Sequence, residues 1–461
     1  MLSYEDAVKK ILENSNIPGV EEKPLLNCVG QVSAEDVLAD ISLPQSAISG
    51  PDGYAVRSQD IKGASQYNPV ILRILATARA GFMSKRAVKP GTTIRIMTGS
   101  VLPDGADCVV RFEDTDEPGD KNGPNKSKPS QVKINVSASP GDNVHRAGST
   151  IRKGSLIVSE GTLIGPAQVS ALAAIGKTSI KVIRRPVVAI IATGDELISP
   201  GKPLAPGKTY NCNTAALASL VALYGCVPKI LGIAQDKEAA LTSKIRKGMK
   251  ADAIITSGGV SKGDYDLVRL VLGKLGEIVF SRIKMGPGAA VAFGVIKRFC
   301  ADAPDIALPV FSLSGPPTGC LVNFETLVRP ALLKMLGFAT VAHPSVEATA
   351  LDSIPFKMPN AFVRYTHLRR TEDGYLVTFN VAGNAGPLAA LAAANSLTII
   401  PKGTFVKAGD KIRVLPLDWC RRSTFEEVAP TERYWQRRTM PGFIPGITVL
   451  STCVGKQGVK T

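Results

Sequence analysis

The chain predicts a multidomain α/β plus β fold: a parallel-sheet α/β domain, a separate β domain and a C-terminal β-barrel or sandwich. Three observations carry this. Strand-like and helix-like stretches alternate across residues 184–337, the pattern of a parallel sheet covered on both faces. Residues 41–140 hold short β-rich runs bounded by Gly and Pro, and short strands return after Gly337. The 461 residues also exceed what a single hydrophobic core organises, so roughly two to four domains are expected.

Residues 3–14 read as a short amphipathic helix, with Ser3 as N-cap, Asp6 three residues on, and Ala7, Val8, Ile11 and Leu12 on one face. In the β region the strand-like runs are 70–77, 93–97, 108–112 and 132–136. Between the last two, residues 113–131 contain almost nothing apolar and read as a solvated loop. From 184 the period changes. Residues 186–192 form a continuous apolar run, the mark of a strand buried on both faces. A helix over 213–224 follows, with Leu217, Leu220, Val221 and Tyr224 at helical spacing and Gly225 closing it. Next come strands at 229–234, 253–256, 278–283 and 309–313, and helices at 237–249, 267–275 and 321–336. Beyond Gly337, runs 362–369 and 375–381 flank Glu372-Asp373-Gly374, a hairpin signal. With 396–400 and 411–415 they suggest a small barrel or sandwich. Residues 418–461 carry no recognisable fold.

Composition excludes several classes. The charge of 55 − 39 = +16 favours anionic ligands without choosing among them. There is no signal-like start and no charge-free apolar stretch of the ~18 residues a membrane span needs. Eight dispersed cysteines form no C-x-x-C pair, which points to reduced thiols and a cytoplasmic setting rather than a thiolate zinc site. The three histidines lie far apart in sequence.

The chemistry is expected at the carboxyl ends of the α/β strands, where open sheets of this kind bind ligands. Four strand ends carry glycine-rich loops: Thr193-Gly194-Asp195-Glu196, Ser257-Gly258-Gly259-Val260-Ser261-Lys262-Gly263-Asp264-Tyr265-Asp266, Lys284-Met285-Gly286-Pro287-Gly288, and Ser314-Gly315-Pro316-Pro317-Thr318-Gly319. Glycine lets backbone N–H groups approach a phosphate, and carboxylates among the glycines suit Mg²⁺ that bridges phosphates. Glu196, Asp264 and Asp266 are therefore metal or general-base candidates, whereas turn and capping roles alone would not gather four such loops on one edge. Asp236 stands between helix cap and ligand. The stretch Gly201 to Thr209 (G-K-P-L-A-P-G-K-T) is not a P-loop, because five residues rather than four separate its glycines. In the β region, Asp52-Gly53-Tyr54 reads equally well as a turn with Tyr54 packed beneath it or as part of a site.

Taken together, the motifs resemble the molybdopterin molybdenumtransferases, the family that includes the C-terminal domain of gephyrin. The resemblance spans residues 3–417. It rests on Asp52-Gly53-Tyr54-Ala55-Val56, Arg95-Ile96-Met97-Thr98-Gly99, Thr193-Gly194-Asp195-Glu196-Leu197, Tyr210-Asn211-Cys212-Asn213, Ser257-Gly258-Gly259-Val260-Ser261, Gly263-Asp264-Tyr265-Asp266 and Val328-Arg329-Pro330-Ala331-Leu332. It implies four domains: a molybdopterin-binding α/β domain from 1–20 and 184–337, a small linking domain from 21–40 and 141–183, a β domain at 41–140, and the barrel at 338–417. It implies a homodimer with its site shared between subunits, and a Mg²⁺-dependent reaction of adenylylated molybdopterin with molybdate that releases AMP. Asp52, Glu196, Asp236 and Asp266 would be catalytic, the last three also holding metal. Thr98, Thr193, Gly194, Ser257, Gly258, Gly259, Ser261, Lys262, Asp264, Gly288, Gly315 and Arg364 would bind substrate. Partners implied are small molecules, the molybdopterin adenylyltransferase and apo-molybdoenzymes, not nucleic acid or membrane.

The chain departs from the family at marked positions. Where the family usually has K-P-G-K-P, this chain has Gly286-Pro287-Gly288-Ala289-Ala290; where G-E-D is expected, Gly148-Ser149-Thr150; where P-G-N-P is usual, Ser314-Gly315-Pro316-Pro317; and Ala389 and Ala390 stand for terminal-domain serines. Lys262 occupies an ordinarily apolar position, with Arg282 and Lys284 nearby in sequence. A non-catalytic paralogue that carries molybdopterin is the competing expectation.

Overall fold

The computed structural model describes residues 1–417 apart from 118–129, 260–266, 301–302, 355, 356, 358 and 384. The 418–461 tail lies outside the described residues, as do Ser261, Lys262, Asp264 and Asp266 among the expected site residues.

The apolar run after residue 184 becomes the strand Val187–Thr193, near the middle of a six-stranded sheet. Its order is Val227–Ala234, Val187–Thr193, Ala253–Ser257, Ala303–Leu313, Ala292–Cys300, Glu277–Phe280. The first four strands are parallel. The expected all-parallel sheet is nevertheless mixed, because Ala292–Cys300 runs antiparallel to both neighbours. Only two residues separate it from Ala303–Leu313, and a parallel return needs a crossover of about a dozen or more. Alternate residues feed opposite faces. Val188 and Ile190 join Leu217, Val221, Phe311 and Phe324 on one side, together with Ala7 and Ile11 of the N-terminal helix Tyr4–Glu13. Ala189 and Ile191 join Leu241, Ile245, Ile254 and Val271 on the other. Each such side chain, fully buried, contributes about 1.5–3 kcal/mol, so this sheet is the most heavily stabilised part of the chain.

The helix expected at 321–336 starts earlier, at Pro317, and is not uniform. Pro317–Asn323 and Arg329–Met335 are α-helical, and Phe324–Val328 between them is a π-turn. Pro330 has no N–H to give the carbonyl of residue 326, so the ladder widens there. The buried Glu325 carboxylate inside this turn accepts from Tyr224 Oη at 2.9 and 3.1 Å and lies 3.3 Å from His343 Nε2.

In the β region a five-stranded sheet runs Cys108–Arg111, Gly53–Val56, Thr92–Ile96, Val70–Ala78, Gln131–Ile134, with a buried cluster on each face. The solvated-loop expectation for 113–131 fails at Glu117. Its carboxylate accepts from Tyr54 Oη at 2.5 Å and from Arg95 Nε and Nη2 at 2.9 and 2.8 Å, and Arg95 lies over the Phe112 ring. Burial first, then Glu117, raises the Tyr54 pKa above its ordinary value. Val20–Pro24 pairs with Ser179–Ile183 around a separate small core that includes Leu25, Cys28, Leu172 and Ile180.

At the C-terminus the strands Ala361–Thr371, Gly374–Thr378, Val346–Ala350, Lys411–Pro416 and Ser396–Ile400 pair in that order, and the last closes on the first. The choice between barrel and sandwich thus falls to the barrel. Met285–Gly286 adds to it by pairing with Ala361 and Phe362, which ties barrel to α/β rim. Among the described residues no helix is long and apolar enough to cross a membrane.

Candidate functional site

Thr193, the last residue of its strand, is buried, and its Oγ1 donates to Asp236 Oδ1 at 3.0 Å. Asp195 N donates to Asp236 Oδ2, and Asp236 N returns a bond to Asp195 Oδ1, both at 3.2 Å. Asp236 is therefore not a helix cap. The N-cap of Glu238–Gly248 is Lys237, and no side chain bonds there. Asp236 instead couples two adjacent strand ends, and Glu196 stands exposed on the loop that Asp195 belongs to.

The next loop packs against the first. Gly258 has φ +89°, and a Cβ there would lie 2.5 Å from the Thr193 carbonyl, so only glycine lets the loops approach so closely. The Gly258 N–H donates to Leu313 O and the Gly194 N–H to Ala234 O. Those two amides hold the sheet edge together and cannot also cradle phosphate, contrary to the simplest reading of the glycine loops. The N–H groups of Gly259, Gly288 and Gly315 donate to no described residue. Ser257, at the end of its strand, is buried.

Two asparagines tie the remaining loops: Asn213, part of the Tyr210-Asn211-Cys212-Asn213 motif but given no site role by the sequence, and Asn323, which the sequence reading passes over. Asn213 Nδ2 donates to Gly315 O at 2.8 Å. Asn323, wholly buried, donates from Nδ2 to Gly288 O at 2.9 Å and accepts from Ser314 Oγ at 3.2 Å. The available signal was an amide within an otherwise apolar stretch, Leu321-Val322-Asn323-Phe324, since a buried amide must find partners. Gly286 faces the barrel: a Cβ there would lie 3.1 Å from the Phe362 ring. Arg364 sits two residues further along the same barrel strand, half-buried. Tyr365 Oη donates to Thr318 O at 2.8 Å, a second tie between barrel and α/β unit. Cys320, beneath these loops, is pushed up to about 12 by burial, which keeps its thiol protonated.

Asp52 and Thr98 meet elsewhere. Asp52 Oδ1 accepts from Thr98 N at 2.7 Å and Thr98 Oγ1 at 2.9 Å, and both residues are exposed. Tyr54 is packed beneath the corner, as the turn reading of that motif expects. Among the described residues no hydrogen bond or ion pair joins this corner to the α/β loops.

The donor set at the α/β rim is all oxygen, as Mg²⁺ prefers. No group of three or more His, Cys, Asp or Glu side chains poised for a metal exists among the described residues. Glu196 and Asp236 still fit Mg²⁺, which takes one or two carboxylates together with substrate phosphates and water rather than a full protein cage.

Fold and rim define the class: an α/β ligand-binding enzyme core whose strand-end loops face outward, with β units attached before and after it. A family model described as MoeA N-terminal region (domain I and II) matches residues 2–176, and one described as probable molybdopterin binding domain matches 189–334. The molybdopterin molybdenumtransferase of Bacillus subtilis is 34% identical over 419 residues, 90% of this chain and 94% of that protein. The protein of the same name from Nostoc is 33% identical, covering 84% and 86%. The solved molybdopterin biosynthesis MoeA protein of Pyrococcus horikosii superposes with a TM-score of 0.76 at 31% identity, over 90% of this chain and 99% of that one. The chain belongs to the molybdopterin molybdenumtransferase family, a family of enzymes, as its motifs led one to expect.

Proposed function

We propose that this chain inserts molybdenum from molybdate into adenylylated molybdopterin, releasing AMP, in molybdenum cofactor biosynthesis, and that it does so with Mg²⁺ as a cytoplasmic homodimer. The observation that carries the reading is the set of ties at the strand ends, in a chain of this family: Asp236 braces the first loop at Thr193, Gly258 seats the second against Thr193, and Asn323 and Asn213 hold Gly288, Ser314 and Gly315. Glu196, Asp236 and Asp266 are assigned to Mg²⁺, which when bound neutralises phosphate charge and polarises the bond to AMP. The chain's own groups do the rest. The Gly259, Gly288 and Gly315 amides supply hydrogen bonds to anionic oxygens. Asp52, held at Oδ1 by Thr98, keeps Oδ2 available to take a proton. Ser257, Ser261, Lys262, Asp264 and Arg364 complete the substrate contacts in this reading, and the four-domain division accompanies it.

The test is to mix purified protein with adenylylated molybdopterin, Mg²⁺ and molybdate, and measure AMP release. AMP that appears only when molybdate is present supports the assignment; tight molybdopterin binding without AMP supports the carrier reading, which Gly286, Ala289, Ser149 and Thr150 favour. A shared site predicts that mixed Asp52→Ala and Glu196→Ala subunits regain partial activity, and a strictly monomeric mass at micromolar concentration would contradict the dimer.

A further inference from the structure

We propose that Asn323 is a positioning residue for the strand-end loops, fixing through the backbone the direction in which their unbonded amides point. Its amide is wholly buried and bonded on both sides, to Gly288 O and to Ser314 Oγ. A Cβ at Gly288, whose φ is +95°, would lie 2.6 Å from Asn323 Nδ2, so the loop backbone rests directly on this side chain. A peptide unit is planar and trans. Fixing the Gly288 carbonyl toward the helix therefore aims the Ala289 N–H in the opposite direction, and that N–H donates to no described residue. Asn323 thus sets the direction of the Ala289 amide. Through Ser314 it also sets the distance from that amide to the Ser314–Gly315 loop, whose far side Asn213 holds at Gly315 O.

Asn323 is itself held from below. It is the last residue before the π-turn Phe324–Val328, and that turn is pinned by Glu325 to Tyr224 and His343. The helix therefore cannot rotate without breaking a buried carboxylate network, which makes the Asn323 amide a fixed reference for both loops.

The inference rests on the proposed transferase reading, and the test separates the two. Asn323→Ala, Ser314→Ala and the neighbouring core variant Val322→Ala are compared for melting temperature, KM for molybdate in AMP release, and amide exchange across residues 284–292. Asn323→Ala should raise KM about ten- to a hundredfold, the range for a lost buried hydrogen bond with an orphaned partner, and speed exchange in that segment. Ser314→Ala should act in the same direction but less, and non-additively with Asn323→Ala. Val322→Ala should lower the melting temperature while leaving KM and exchange within about twofold. A KM that tracks melting temperature across all three variants, or an Asn323→Ala KM within about twofold of wild type, overturns the proposal. If wild type releases no AMP, the transferase reading fails, and exchange at 284–292 still decides Asn323: unchanged exchange in Asn323→Ala refutes it.

Discussion

The strand-end loops of the α/β unit and the Asp52 corner of the β sheet carry the same vocabulary of Gly, Asp and Thr, yet they are held in opposite ways. In the α/β loops the backbone itself is clamped. Gly258 lies against the Thr193 carbonyl, Asn323 and Asn213 grip carbonyls, and most of the gripping side chains are buried. At the Asp52 corner an exposed carboxylate is steadied by one exposed residue, and Gly99, at φ +76°, has no atom within 4 Å of where a Cβ would stand. A glycine of this vocabulary can thus be a packing requirement, as Gly258 and also Gly53 are, or only a backbone-dihedral preference, as Gly99 is. The first kind resists substitution through stability. The second costs only the backbone-dihedral part of that stability.

That contrast can be broken most sharply by the carboxylates. Asp52→Ala and Glu196→Ala should each cut molybdate-dependent AMP release by about a hundredfold or more, the scale of losing one preorganised charge contact. Both side chains are exposed, so unfolding free energy should move by no more than about 0.5 kcal/mol. Turnover within a few-fold of wild type in both variants would remove them from the site.

A glycine pair sharpens it next. Gly258→Ala combines a left-handed backbone cost of about 1–2 kcal/mol with overpacking of about 1–3 kcal/mol, a total of about 2–5 kcal/mol. Gly99→Ala meets open space and should lose only the first part, about 1–2 kcal/mol. Urea unfolding of the two variants measures the difference, and equal losses would show that the close approach to Thr193 carries no energy.

The smallest effect tests whether electrostatics hold the β unit's edges. Burial acts to raise the Asp107 pKa, but bonds from Ser58 N and Oγ outweigh it and leave the carboxyl below its ordinary value. A depressed native pKa stabilises above the unfolded value of about 3.9 and loses that stabilisation as pH falls through the native value. The gap in urea midpoint between wild type and Asp107→Asn, worth about 1 kcal/mol or less at pH 7, should therefore shrink as pH drops toward 3. A gap that stays constant with pH would show that the contact is not ionic.

Much of this was legible in residue order. The apolar run near 187–193, the helical spacing of Leu217, Leu220 and Val221, and the hairpin at Glu372-Asp373-Gly374 all became the elements they suggest. Each depends on side chains within one turn or one strand, so local pattern suffices. The Ala292–Cys300 strand escaped because its apolar start fades into Lys297 and Arg298, and its direction depends on its pairing. Glu117 escaped because a carboxylate in a polar stretch looks solvated until Arg95 and Tyr54 come from other strands to meet it.

By itself the sequence determined where most strands and helices fall, because periodicity and backbone preference are properties of neighbouring residues, and its motifs carried the resemblance to the family. Only the tertiary structure decided that Asp236 braces a loop instead of capping a helix, and that the Gly194 and Gly258 amides are already bonded. It alone revealed that one buried asparagine, given no role by the sequence, fixes Gly288 and Ser314 together. Hydrogen-bond partners of that kind are chosen by packing across the whole chain, and a buried amide shows its purpose only when every group it must satisfy has been brought within 3 Å or so.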